Sequence, residues 1–142
     1  MVIVIGVEHV RAQAESSFVR TVSGVDLLVG ARTSQINLLL YSVFRIGNAT
    51  NNISWQSYED ISARAEVSWS IPLSLGDSHR GYRVLGTNSQ YFDHFRYGDS
   101  EALRFAEGEP FSDVLHAVLG SEVANSLGYE LGQEIVLSHG IG

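Results

Sequence analysis

A chain of 142 residues, 44% of them apolar, has the length for one domain with a core or for two small subdomains, and it is too apolar for a disordered chain. Sixteen acids against nine bases give a net charge of -7, and nine scattered arginines with no lysine cannot assemble the basic face that a nucleic-acid partner requires. With no cysteine, disulfide frameworks and thiolate nucleophiles are excluded.

Residues 1–6 are apolar but far short of the roughly 20 residues that cross a bilayer, and they lack the basic flank of a signal peptide. They read equally as the last turns of a membrane helix or as a buried first strand, VIVI. From there Val7, Val10, Ala14 and Phe18 fall on one helical stripe, with Glu8, Arg11, Gln13 and Glu15 elsewhere, which predicts an amphipathic helix ending near Gly24. Residues 25–29, VDLLV, read as a strand closed by Gly30 and Ala31.

Residues 34–47 carry Ile36, Leu39, Leu40, Val43 and Phe44 at helical spacing, and Leu38, Tyr41 and Ile46 widen the apolar arc. A core helix explains this arc, and so does a surface helix that docks on a membrane, a partner protein or a second copy. Asn48 and Asn52 begin glycosylation-type triplets, although turn chemistry accounts for asparagine there.

Ser54 is placed to cap a helix reaching about Arg64, with Ile53 and Tyr58 positioned as a hydrophobic staple and Trp55, Tyr58 and Ile61 as its buried face. Over residues 67–75, Val67, Trp69, Ile71, Leu73 and Leu75 alternate with polar residues and Pro72, which predicts a strand at an edge or a bulge. Residues 76–81 read as a polar connection and residues 82–85 as the returning strand of a long hairpin. Thr87 and Gln90 have capping-box spacing before a short helix whose aromatic face is Tyr91, Phe92 and Phe95. Residues 96–111 are rich in charge and glycine and mark a subdomain boundary.

The last part reads as strand, helix, strand. Residues 116–119 are a short apolar run, and Ser121 is placed as an N-cap with Glu122 complementing the positive helix end. Val123, Ala124 and Leu127 share a helical face, which Gly128 terminates. Residues 131–134 make a turn, and residues 135–137 form a strand whose partner lies upstream or beyond Gly142. The whole order predicts an α+β architecture with helices on one side of small sheets.

None of these segments carries a recognisable catalytic or metal motif. His9, His79, His94, His116 and His139 lack ligand spacing, and His79 in a turn and His116 in a strand are expected as solvated or hydrogen-bonded imidazoles. Glu107 and Glu109 have the types for an acid and base pair, but they precede Pro110 in a polar loop where nothing would raise one pKa by burial. There is no nucleophile elbow and no glycine-rich phosphate loop. No cofactor is expected.

Gly108, Phe111, a VLG run, the short helix SEVA and the closing LGQEIVL, together with RGYRVLGTNSQYFDHF over residues 80–95, resemble the extracytoplasmic domain of MacB-type ABC transporter permeases of the FtsX-like superfamily. The resemblance spans about residues 7–142 and rests on the order of several weak motifs. It implies the end of a transmembrane segment and a stalk helix over 1–24, the first part of a porter-like subdomain over 25–100, and a second small subdomain, truncated at its C-terminus, over 101–142. It further implies a non-catalytic domain on the periplasmic or extracellular side of a bacterial inner membrane, with ATPase activity on a separate subunit reached through the membrane part. The stalk Val7, Val10, Ala14 and Phe18 would then transmit movement. Ile36, Leu39, Leu40, Val43 and Phe44 would meet a second permease copy or a periplasmic partner. A soluble α+β module for small-molecule binding or signalling is the alternative.

Overall fold

The computed structural model describes residues 23–47 and 51–139. The apolar start, the helix carrying Val7, Val10, Ala14 and Phe18, and the Asn48 triplet lie outside the described residues. Among those described, the chain is a small mixed α+β domain of four helices and antiparallel strands. In order these are α1 (Gln35–Ser42), α2 (Trp55–Ser62), β1 (Ser74–His79), β2 (Tyr82–Gly86), α3 (Gln90–His94), β3 (Arg96–Tyr97), β4 (Glu101–Ala102), α4 (Ser121–Leu127) and β5 (Ser138–His139).

β1 is the centre of a three-stranded sheet, flanked by β2 and β5, and β3 pairs with β4 in a separate hairpin. The hairpin of β1 and β2 forms as expected, but its boundaries move. Only Arg80 and Gly81 make the turn, with φ of 48° and 82°, so residues 76–79 are strand rather than connection. Two successive positive φ values give the mirror-image turn whose twist matches that of the flanking strands. A register shift between Leu75 and Asp77 leaves Gly76 as a bulge.

The strand expected from residue 67 begins only at Ser74. Residues 69–73 are all half-buried, so the alternation is not realised in space. Ser70, which alternation assigns to water, shares a 2.8 Å hydrogen bond with Ser62 of α2, and Trp69 stacks on His94 of α3 with ring centroids 4.7 Å apart. This segment is wedged between two helices instead of pairing with a strand. Residues 25–29 and 116–119 also form no strand. Both have strand composition, but neither finds a ladder partner among the described residues, and Leu27 stands 76% exposed.

Local capping signals fare better. Ser54 accepts the Ser57 amide at 3.1 Å, as its spacing predicts, and α2 then ends at Ser62. Trp55 does not join the buried face of α2: it is 64% exposed, and its indole N–H donates to Glu59 one turn on. Ser34 caps α1 by accepting the Asn37 amide, and α1 stops at Ser42, short of Gly47, where the chain turns through Arg45 at φ 58°. Gly128 ends α4 at φ 65°, as expected, with Val123, Ala124 and Leu127 half-buried. The N-cap of α4 is Gly120 rather than Ser121. The capping box before α3 does not form either: the N-cap is Ser89, and the Thr87 hydroxyl is buried without a hydrogen-bond partner.

Side chains tie these pieces to the sheet. Tyr41 of α1 donates to the Leu75 carbonyl at 2.6 Å, and Arg83 of β2 donates to the Gly47 carbonyl at 2.8 Å. Tyr91 stacks on Phe95, while Phe92 packs against Phe105 and Phe111 at 5.4 and 4.9 Å. The expected boundary stretch therefore contributes a hairpin and two aromatic contacts to α3.

Candidate functional site

A groove of about 700 Å³ opens where the β1–β2 turn faces the segment that follows α4. Ser78, His79 and Arg80 line one side, and Tyr129, Glu134 and Val136 line the other. The bulge at Gly76 and the pairing of β1 with β5 bring these parts together, through Asp77 opposite His139 and Ser78 opposite Ser138. The strand expected over 135–137 thus begins at Ser138, and its partner is upstream.

His79 ends β1 rather than sitting in the expected turn; only 8% of its surface is exposed, and of the two imidazole states expected it takes the hydrogen-bonded one. Its Nδ1 lies 2.7 Å from the Val136 carbonyl and its Nε2 lies 2.8 Å from the Tyr129 hydroxyl. A carbonyl can only accept, so Nδ1 carries the proton, and in the neutral ring Nε2 must accept from the Tyr129 O–H. Tyr129 is delivered by the left-handed Gly128, after which its amide bonds back to the Ala124 carbonyl at 3.1 Å. With its one proton committed to His79, the Tyr129 oxygen offers only lone pairs to the groove.

Arg80 and Glu134 line the same groove with opposite charge, yet neither belongs to an ion pair among the described residues. Asp77 and His139 meet at 2.8 Å across the outer ladder, where solvent screens the pair and leaves it a small contribution.

The five apolar positions proposed for partner contact do not share one environment. Val43 is buried, Leu39, Leu40 and Phe44 are half-buried, and Ile36 is 68% exposed. Glu107 and Glu109 are both exposed, and His116 likewise. Among the described residues no three His, Asp or Glu side chains converge as metal ligands, and no helix is long and apolar enough to cross a membrane. Arg80, Tyr129, Glu134 and Val136 are site residues that the sequence did not single out; for Tyr129 the glycine just before it was the available signal. No known protein family matches the chain, and neither a curated protein nor a solved structure matches it.

Proposed function

We propose that this chain is the extracytoplasmic domain of a MacB-like ABC transporter permease, a non-catalytic module that couples ATP-driven motion of a membrane complex to substrate or partner handling outside a bacterial inner membrane. In that reading residues 25–100 are the first part of a porter-like subdomain, residues 101–142 belong to a second small one, and the helix of Val7, Val10, Ala14 and Phe18 is the stalk. The ATPase subunit is engaged through the membrane part.

The observation that carries the proposal is the amount of apolar side chain left on the surface. Among the described residues Val43 is the buried apolar residue, whereas Ile36, Val114 and Leu115 stand 68%, 96% and 90% exposed. Exposed apolar area of this kind marks surfaces that other chains cover, and α1 with the residues just after it supplies such a surface through Ile36, Leu39, Leu40 and Phe44. The full reading frame tests the proposal. One membrane span just before Met1 and further spans after Gly142 support it, and a natural start and stop at those positions overturn it. The groove beside His79 favours a second reading, a soluble α+β module that binds a small molecule.

A further inference from the structure

We infer that the groove between the β1–β2 turn and residues 129–136 binds a small zwitterion, an amino acid or a dipeptide, with its carboxylate at Arg80 and its ammonium at the Tyr129 oxygen and Glu134. The buried His79 sets the first requirement. In the neutral ring the Val136 carbonyl fixes the proton on Nδ1 and Tyr129 spends its only proton on Nε2, so a ligand atom meeting the Tyr129 oxygen has to be a donor. Glu134, as an ionised carboxylate, is also an acceptor and lines the same side of the groove. An ammonium satisfies both, with three N–H donors and a charge opposite to that of Glu134.

Arg80 sets the second requirement. It precedes Gly81 in the tight turn, on the opposite side of the groove, and its planar fork of donors matches a carboxylate. An Arg and a Glu that line one groove without pairing to each other leave both charges to be matched by a ligand that carries both. Ile135 and Val136 give the space between them an apolar wall that fits a short aliphatic side chain. The groove's volume of about 700 Å³ accommodates a molecule of that size. The assignment stands apart from the permease proposal, since it rests on groove residues alone.

The test is a titration of the isotopically labelled chain with alanyl-alanine at neutral pH, read by the ring signals of His79 and Tyr129. The dipeptide should shift both. Arg80→Asn, chosen because asparagine tolerates positive φ and so keeps the turn, and Glu134→Gln should each weaken binding about tenfold. Circular dichroism and thermal melting verify that both variants stay folded. N-acetylation of the dipeptide should weaken binding and abolish its dependence on Glu134, and C-terminal amidation should do the same for Arg80. If millimolar dipeptide leaves the groove signals unmoved, the assignment fails. It fails too if only one of the two variants changes affinity, because a simple anion or a simple amine would then be the ligand. A reading frame without membrane spans would overturn the permease proposal and leave this result untouched.

Discussion

The Tyr129 hydroxyl sits 2.8 Å from His79 Nε2 and so joins the end of β1 to a residue 50 positions further along the chain. Because His79 is almost fully buried, removing that partner leaves a buried polar nitrogen without its hydrogen bond. Tyr129→Phe should therefore lower stability by about 1–3 kcal/mol, the usual cost of an unsatisfied buried group. In a cycle with His79→Ala the two losses should be clearly less than additive. Urea unfolding of the four proteins measures both, and full additivity would show that the contact contributes nothing.

The turn at Arg80 and Gly81 gives a prediction of opposite sign at its two positions. A non-glycine residue at φ 48° is strained, so Arg80→Gly should stabilise the hairpin by up to about 1 kcal/mol. Gly81→Ala should destabilise it by about 1 kcal/mol. No atom lies within 4 Å of the position its Cβ would occupy, so the whole cost is conformational. Thermal midpoints of the two variants against the parent decide the matter.

Along α1 and at its C-cap Val43, environments only a turn or two apart predict different behaviour. Val43→Ala removes two methyl groups from a buried position and should cost about 1–3 kcal/mol. Ile36→Ser acts at an exposed position and should change stability by less than about 0.5 kcal/mol. If α1 docks on a partner, Ile36→Ser should weaken that association while the fold persists. Sedimentation beside thermal unfolding separates the two effects, and a steep loss of stability in Ile36→Ser would place that side chain in the core.

Tyr91 predicts an alkaline limit to stability. Burial pushes its phenol above the ordinary range, and the neighbouring Arg45 guanidinium, by charge and hydrogen bonding, opposes this only in part. The folded state therefore holds the proton more tightly than the unfolded chain. The resulting stabilisation is complete below the ordinary tyrosine pKa of about 10 and is lost as pH rises through the higher folded value. Tyr91→Phe should flatten the decline in stability above about pH 10. Denaturant titrations at neutral and alkaline pH give the slope, and an unchanged slope in the variant would rule the contribution out.

What could be read from the chain in advance was what local chemistry decides. The Ser54 cap, the end of α4 at Gly128 and the aromatic face of α3 each depend on a few neighbouring residues, and each is present. Strands depend on a partner, which residues 25–29 and 116–119 lack among the described residues, and the alternation of residues 67–75 could not reveal that the hydroxyls of α2 would take Ser70. The His79 site was illegible for the same reason. The carbonyl that fixes its tautomer lies 57 positions away, and no spacing rule connects the two.

The two seams of β1 differ in how far apart along the chain their residues lie. Its contact with β2 is closed by a two-residue turn, whereas the Asp77 to His139 pair closes a separation of 62 residues. Loop closure is entropically cheap for the first and dearer for the second, and the second ladder is only two residues long. Local opening of the native state therefore starts with β5 peeling from β1 while the β1–β2 hairpin stays closed. Exchange of the Ser138 amide should report that motion ahead of the hairpin amides. Peeling of β5 would draw Val136 away from His79, free the imidazole to change tautomer and dismantle the groove without unfolding the rest.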